Sequence, residues 1–215
     1  MTAFRAALFD LDGTLLDSMG VWEKVDVDFL AKRGFSVPAD YVRIISAMSF
    51  TEAAEYTISR FALSEPAAAL IREWNDMVAH EYRDNIRLKP YARAYLAALK
   101  SRGIKLATAT SLSPHLSEAV LKNNAVYEYF DCFSFTDEVN RGKEFPDVFL
   151  LASQKLVIPP RDCIVFEDLL AGIKSAKQLG MRVFCVHDKH SRDAVSEIMA
   201  AADGYLYDFK DAPLP

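Results

Sequence analysis

Residues 6–18 read AALFDLDGTLLDS, an apolar run that stops at two aspartates, Asp10 and Asp12. An unbroken apolar run is typical of a parallel strand whose two faces are both covered. Gly13 follows at once and allows the chain to turn sharply at the strand end. Because open α/β sheets bind ligands at the carboxyl ends of their strands, the sequence predicts that both carboxylates face a ligand.

The spacing of Asp10 and Asp12 favours a bound cation. Side chains two residues apart on a strand share a face, so these carboxylates repel each other unless a cation or a shared proton lies between them. Mg²⁺, a hard cation that prefers oxygen ligands, fits such a pair. For Asp-x-Asp-Gly taken alone, the alternative is a polar strand end followed by an ordinary turn.

The whole stretch resembles the first motif of the haloacid dehalogenase-like hydrolases, in which an apolar strand leads into DxDGTLhDS. In that family the first aspartate is a nucleophile that becomes an aspartyl phosphate, and the second is a general acid/base. The resemblance therefore implies that Asp10 is the nucleophile and that Asp12 is the general acid/base. An aspartate at the position of Asp12 also implies a phosphatase or a phosphomutase rather than a dehalogenase.

Two later segments extend the resemblance in the family's order. Residues 104–111 read IKLATATS and are similar to the second motif, which implies that Thr108 and the adjacent Ala109 bind the phosphate. Residues 142–149 read GKEFPDVF and are similar to the third motif, although a glutamate replaces a usual proline. The lysine of that motif is Lys143, and the resemblance implies that it also binds the phosphate.

A fourth segment, CIVFED, ends in Glu167 and Asp168 and is similar to the last motif, although a leucine follows where the family commonly has serine. The resemblance implies a Mg²⁺ site formed by the Asp10 carboxylate, the backbone carbonyl of Asp12 and the Asp168 carboxylate. Glu167 is either a further metal ligand or a residue that supports the ligands.

Composition agrees with a compact metabolic enzyme. The 215 residues are 51% hydrophobic, which is enough for a substantial core, and the formal net charge is −5. No basic block occurs, which argues against a nucleic-acid partner. The three cysteines form no Cys-x-x-Cys pair and are typical of buried thiols in a reducing compartment. Without a signal peptide or a long apolar run, the sequence predicts a cytoplasmic protein with no membrane partner.

Alternating strand and helix patterns predict an α/β protein with a Rossmann-like parallel sheet. The predicted strands are residues 5–10, 104–109, 131–136, 163–168 and 181–186, with a possible short strand at 205–207. The predicted helices between them are residues 91–102, 113–123, 145–157, 169–179 and 191–201. This order brings the ends of the motif strands to one edge of the sheet.

Residues 18–88 contain no convincing strand and resemble the α-helical cap that many members of the family carry after the first motif. Helices are predicted near 18–33, 38–47, 51–62 and 66–84, with a capping box at Ser49-Phe50-Thr51-Glu52. We therefore predict a catalytic core of residues 1–17 plus 89–215 and a cap domain of residues 18–88, joined by hinges near 16–18 and 88–91. The aromatic residues Trp22, Tyr56, Phe61, Trp74 and Tyr82 are predicted to pack inside the cap rather than to contact the substrate.

The resemblance implies a Mg²⁺-dependent phosphatase that acts on a small phosphorylated metabolite, and a monomer is favoured. One alternative is a sugar phosphomutase of the β-phosphoglucomutase kind, and another is a non-catalytic relative that only binds. A mutase must hold a second phosphate, and in β-phosphoglucomutase-like caps an arginine does so. Phe50 stands at the nearest position to that arginine, and Trp22 at the nearest position to the mutase's hinge histidine. Both differences favour water as the final phosphoryl acceptor.

Overall fold

The computed structural model describes residues 4–190 and 195–215. In this part of the chain the strands are β1 (Ala6–Phe9), β2 (Lys105–Thr108), β3 (Cys163–Glu167), β4 (Arg182–Val186) and β5 (Gly204–Leu206). They form one parallel sheet in the order β2-β1-β3-β4-β5. The chain moves to one side of β1 for β2 and to the other side for β3, so the end of β1 lies at the point where the winding reverses.

Strand β1 explains why its sequence is apolar without alternation. All four of its residues are buried. Ala7 and Phe9 belong to the apolar cluster on one face of the sheet, whereas Ala6 and Leu8 belong to the cluster on the other face. Since successive side chains of a strand point to opposite faces, both faces need apolar residues when both are covered. The predicted doubly covered strand is confirmed.

The α-helices that follow the helical insert, residues 19–85 between β1 and β2, cover these two faces. They are α5 (Ala92–Ser101), α6 (Pro114–Asn123), α7 (Thr136–Val139), α8 (Asp147–Leu156), α9 (Leu170–Gln178) and α10 (Val195–Ala201). They fall where the sequence predicts them, except for the short α7. The first four residues of the predicted helix at 191–201 lie outside the described residues.

The predicted strand at 131–136 is only partly formed. The segment runs beside β2 and makes isolated parallel bridges, from Cys132 to Ala107 and from Phe135 to Thr110. The chain then enters α7 at Thr136, where the Glu138 carboxylate accepts a hydrogen bond from the Phe135 amide at 3.0 Å. Helix initiation at this point ends the strand pairing that the apolar pattern predicted.

The chain between β1 and β2 contributes a helical insert, residues 19–85. It contains α1 (Met19–Ala31), α2 (Tyr41–Ile45), α3 (Phe50–Phe61) and α4 (Ala67–His80), which continues as one π-helical turn, Glu81–Asn85. The predicted capping box is present: the Glu52 amide donates to Ser49 Oγ, and the Ser49 amide donates to Glu52 Oε2 at 2.9 Å. The predicted division into core and cap domains at 17/18 and 88/89 stays a prediction.

The two connections of the helical insert lie side by side. The Asp17 amide donates to the Arg87 carbonyl at 3.0 Å, and the Lys89 amide donates to the Leu15 carbonyl at 2.9 Å. Lys89 Nζ also pairs with Asp188 Oδ2 at 2.8 Å, which ties the second connection to the loop after β4. Within the described ranges, no helix is long and apolar enough to cross a membrane.

Candidate active site

The end of β1 places Asp10 at the centre of the sheet edge. The Asp10 amide donates to the Phe166 carbonyl of β3 at 3.0 Å, and only 4% of the residue is exposed. The chain then turns at Gly13, where φ is +79°. A Cβ at this position would also overlap the Asp168 carboxylate. Gly13 is therefore required both by the turn and by the close approach of an acidic side chain.

Lys143 connects two of the predicted site residues. Its Nζ donates to Asp10 Oδ1 and, at 2.8 Å, to Glu167 Oε2. Burial by itself lowers the pKa of Lys143, but the negative charges of Asp10 and Glu167 outweigh burial and hold that pKa above its usual range. Lys143 is therefore a permanent positive charge beside the candidate nucleophile.

The carboxylates of Asp10, Glu167 and Asp168 form a buried cluster whose nearest oxygens all lie within 4.8 Å of one another. Burial raises the pKa of Glu167 to about 7, and burial together with the charges of Glu167 and Asp10 raises the pKa of Asp168 well above its usual value. One lysine compensates only part of this charge. The oxygen-rich cluster fits a hard divalent cation, which would offset the remaining repulsion.

Glu167 differs from its two acidic neighbours because both of its carboxylate oxygens are already engaged. Oε2 accepts from Lys143, and Oε1 accepts from the backbone amides of Asp168 at 3.2 Å and Leu169 at 3.1 Å. A Cβ on Gly172 would lie 2.7 Å from the Glu167 carboxyl carbon, so a glycine is needed where α9 passes this side chain. Of the two predicted roles, these contacts favour support of Lys143 and of the turn over direct metal binding.

The Asp12 side chain points away from this cluster toward the helical insert. Its Oδ1 accepts from Ser18 Oγ at 2.6 Å and from the Tyr82 hydroxyl, and Tyr82 in turn accepts from Trp22 Nε1 at 2.6 Å. Burial raises the pKa of Asp12 to about 6, although the hydrogen bonds from Ser18 and Tyr82 act in the opposite direction. This carboxyl group therefore exchanges its proton near neutral pH, as a general acid/base must.

Thr108 and Ala109 of the second motif are buried at the end of β2. The Thr108 hydroxyl accepts a long hydrogen bond, 3.4 Å, from the Ser134 amide, and the Ala109 amide donates to the Phe9 carbonyl within the sheet at 2.9 Å. Thr110 and Ser111 line the cavity instead, and Ser111 Oγ is buried with no hydrogen-bond partner in the described part of the chain. The alternation of strand side chains could have indicated Thr110, because it lies two residues after Thr108.

An open cavity of about 150 Å³ lies between the sheet edge and the helical insert. We call the residues at its sheet end the charged wall: Asp10, Asp12, Lys143 and Asp168. We call the insert residues that line the cavity the helical wall. Its largest apolar side chains are those of Trp22, Val25, Phe50 and Trp74. Its polar residues are Asp26, Ser46 and Ser49. A mostly apolar lining with a few convergent charged groups is typical of a site for a small organic ligand.

The aromatic residues of the insert take more than one role. Tyr56 and Phe61 pack against Tyr41, as the sequence predicts. Trp22 and Trp74 also pack, each against Phe50 at centroid distances of 5.6 and 6.2 Å, but all three side chains face the cavity. Trp22, Trp74 and Tyr82 therefore pack within the insert, as predicted, and they also border the site, because the tryptophans line the cavity and Tyr82 contacts Asp12. The prediction that they do not contact the substrate stays a prediction.

The loop that carries Lys143 touches the helical insert. The Lys143 amide donates to the Ala47 carbonyl at 2.6 Å. At the preceding Gly142, a Cβ would overlap that carbonyl and lie 2.7 Å from the Met48 Cα. A hydroxyl contact from Thr51 to Asp137 Oδ1, 3.3 Å, also joins the insert to α7. The insert thus packs directly on the backbone that positions the site lysine.

Known proteins resemble this chain over most of its length. The family model for haloacid dehalogenase-like hydrolases matches residues 4–180. The phosphorylated carbohydrates phosphatase of Thermotoga maritima is 27% identical over 200 residues, covering 92% of this chain and 93% of the relative. The validoxylamine A 7'-phosphate phosphatase of Streptomyces hygroscopicus subsp. limoneus is 30% identical over 217 residues, covering 99% and 97%. The chain therefore belongs to the haloacid dehalogenase-like hydrolases.

A solved structure shows the same fold. CbbY from Rhodobacter sphaeroides, crystallised in complex with phosphate, superposes with a TM-score of 0.83 at 27% identity and covers 97% of this chain and 96% of its own. The predicted family and fold class are confirmed. The predicted enzyme class, a phosphoric monoester hydrolase, is supported by relatives that are named as phosphatases.

Proposed function

We propose that this protein is a Mg²⁺-dependent phosphatase that hydrolyses a small phosphorylated metabolite through an aspartyl phosphate on Asp10. One observation carries the proposal: Asp10, paired with Lys143, and Asp12, held apart by Ser18 and Tyr82, face the same cavity. Two neighbouring carboxylates with separate partners suit the two roles of nucleophile and acid/base.

In the first step Asp10 attacks phosphorus, and the bond between phosphorus and the leaving oxygen breaks. Lys143 lies beside the attacking carboxylate and stabilises the negative charge on the transferring oxygens. Thr110 and the unpartnered Ser111 hydroxyl on the cavity surface are further candidate donors to those oxygens. The predicted phosphate contacts of Thr108 and Ala109 stay predictions.

Asp12 provides the proton transfers on both steps. With a pKa of about 6 it carries a proton in a substantial fraction of molecules and donates it to the leaving oxygen. Its carboxylate then removes a proton from the water that attacks the aspartyl phosphate, which releases phosphate and restores Asp10. Such proton transfer typically contributes about 10²–10⁴-fold to the rate.

The metal would offset charge repulsion between the carboxylates and the incoming phosphate. Asp10, Asp168 and the backbone carbonyl of Asp12 would hold it, while Glu167 supports Lys143 and the turn after β3. The family commonly has such an acidic set, and the buried cluster of this chain supports it. A cytoplasmic location and a monomeric state stay predictions.

Water is proposed as the phosphoryl acceptor rather than a second hydroxyl of the substrate. Among the described residues, the helical wall contains no lysine or arginine that could hold the second phosphate of a bisphosphate. The side chains of Trp22 and Phe50 pack together at the positions where a mutase would carry polar residues. A coupled assay should therefore detect no interconversion of β-glucose 1-phosphate and glucose 6-phosphate above the rate of phosphate release.

The test measures phosphate release from p-nitrophenyl phosphate with and without Mg²⁺. Asp10→Asn should reduce turnover by at least about 10³-fold, because the amide cannot act as the nucleophile. Asp28→Asn, the same change at an exposed aspartate of α1, is the control and should leave activity unchanged. Acid quenching with ³²P-labelled substrate should trap a hydroxylamine-sensitive label on the wild type. Substantial turnover in a folded Asp10→Asn protein would exclude the aspartyl-phosphate mechanism.

A further inference from the structure

Asp26 is a carboxylate within the otherwise apolar helical wall. It lies on α1 one turn after Trp22, and both side chains line the cavity that Asp10 faces. Across residues 4–190 and 195–215, no group donates a hydrogen bond to Asp26 and no cation pairs with it. Asp26 is half-buried, and a carboxylate within an apolar wall that has no partner from the described chain is left for water or a ligand to satisfy.

The nearest hydroxyl cannot satisfy this carboxylate. Tyr41 is close enough for the Asp26 charge to act on it. However, Thr57 Oγ1 donates to the Ala53 carbonyl at 2.7 Å and so accepts the Tyr41 proton across a distance of 2.8 Å. The Tyr41 proton is therefore committed to Thr57 and is not available to Asp26.

The surroundings of Asp26 favour binding of a cation by its carboxylate. Burial raises its pKa to about 7, and the neighbouring carboxylate of Glu23 adds to the effect. Glu23 itself pairs with His190 at 3.1 Å. An entering cation would relieve both the loss of solvation and the repulsion from Glu23.

The position of Asp26 indicates which part of a ligand it meets. The charged wall receives the phosphate, so the helical wall contacts the leaving group. Without lysine or arginine on its described surface, the helical wall does not favour a second anion. Its tryptophans favour an apolar body and stabilise a cation over their ring faces. These features together select a leaving group that is partly apolar and positively charged.

We propose that Asp26 is a specificity-determining residue that binds a protonated amine on the leaving group, so that the preferred substrates are amine-bearing phosphomonoesters. The proposal rests on the phosphatase function proposed above. The amine donates charge-assisted hydrogen bonds to the Asp26 carboxylate while the phosphate lies beside Lys143. Asp26 takes no part in bond breaking, so its loss changes substrate choice rather than the chemical step.

The experiment compares three aryl esters that share one scaffold: para-(aminomethyl)phenyl, para-(hydroxymethyl)phenyl and para-methylphenyl phosphate. Wild-type protein should show a kcat/KM at least about tenfold higher for the aminomethyl ester than for the methyl ester, as expected for a charge-assisted hydrogen bond. Asp26→Asn keeps the side-chain volume and should abolish this ratio while retaining turnover of the methyl ester. Asp28→Asn, an identical change on the exposed side of the same helix, should leave the ratio unchanged.

A binding measurement separates this proposal from the proposed phosphatase function. Isothermal titration with para-(aminomethyl)benzylphosphonate and para-methylbenzylphosphonate in the presence of Mg²⁺ needs no turnover. If the amine is preferred in the wild type but not in Asp26→Asn, Asp26 is confirmed as its receptor even if every ester remains intact. Turnover without any preference for the amine overturns the role of Asp26 and leaves the phosphatase function standing. Equal preference for the hydroxymethyl ester, an amine preference that survives Asp26→Asn, or absence of both binding and turnover also overturns it.

Discussion

The charged wall and the helical wall face each other across one cavity but are built differently. In the charged wall, carboxylates and a lysine are bonded to one another and to the ends of buried strands. In the helical wall, aromatic side chains pack on neighbouring helices and Asp26 has no partner in the described chain. The groups of the first wall are bonded to one another around a candidate metal site, whereas the second wall has one carboxylate left for a ligand.

This difference assigns the catalytic step to the charged wall and substrate specificity to the helical wall. A change in the charged wall should reduce turnover of every substrate alike, because the same atoms react in each case. A change in the helical wall should alter the ratio between substrates, because only the leaving group contacts it. Contacts between the two walls, through Tyr82 and through the backbone at Gly142, should give intermediate behaviour.

After the loss of Asp10 itself, the largest effect is expected from removing Lys143, the positive charge of the charged wall. Lys143→Ala leaves Asp10 and Glu167 buried without their positive partner, and it should lower kcat by about 10²–10³-fold for all esters. Lys143→Arg keeps the charge and should lose less. Lys174→Ala, which removes a lysine outside the charged wall, is the control. A change confined to KM would show that Lys143 binds ground state and transition state equally.

The charged wall was largely predictable from the sequence, and the helical wall was not. Asp10 and Asp168 directly follow strands, and the order of the strands alone brings such positions together, whereas Lys143 lies in a loop and was identified through the family resemblance. Tyr82 reaches Asp12 across 70 residues and from a π-helical turn, and no periodic pattern specifies that contact. Asp26 looks like an ordinary polar residue of an amphipathic helix, because sequence shows the face of a helix but not the cavity beside it.

A smaller loss of kcat is expected when the Tyr82 hydroxyl, which connects the insert to Asp12, is removed. Tyr82→Phe removes one of the two hydroxyls that hold Asp12, so proton donation to the leaving oxygen should become less efficient. We expect kcat to fall about tenfold for an alkyl phosphate and less for p-nitrophenyl phosphate, whose leaving oxygen needs little protonation. Tyr95→Phe removes a buried hydroxyl bonded to the Pro213 carbonyl at 2.6 Å and serves as the control. Equal losses for both esters would assign Tyr82 a purely structural role.

The backbone contact between the insert and the lysine loop should have a still smaller effect. Gly142→Ala would force the Ala47 carbonyl and the Met48 backbone away from the loop, so the insert could not pack as closely on the site. We expect kcat/KM to fall about fivefold for aryl phosphates, with a loss of protection of the Lys143 amide in hydrogen exchange. Glu144→Ala, in the loop that carries Gly142 and Lys143, is the control. Gly103→Ala is unsuitable as a control because Gly103 has a positive φ, which an alanine would adopt only with strain. Unchanged amide protection in Gly142→Ala would show that the contact is not needed.

The smallest expected effect is on the free energy of unfolding, and it measures the contribution of the Asp26 carboxylate in the helical wall. The pKa of Asp26 is about 7 in the folded protein against an ordinary value of 3.8, so the folded state binds this proton more tightly. The contribution of Asp26 to folding therefore becomes less favourable as the pH rises from about 4 to about 7 and is constant above that range.

Asp26→Asn removes this penalty, and its free energy of unfolding relative to wild type should rise across the same range. The full shift would correspond to about 4 kcal/mol, but water in the open cavity reduces the expected gain to about 1 kcal/mol. Urea denaturation of wild type, Asp26→Asn and Asp28→Asn over this pH series measures the difference, in which the titration of all other groups cancels. A gain for Asp26→Asn that does not vary with pH would show that the folded protein already compensates this carboxylate, and the helical wall would then have no free charge for a ligand.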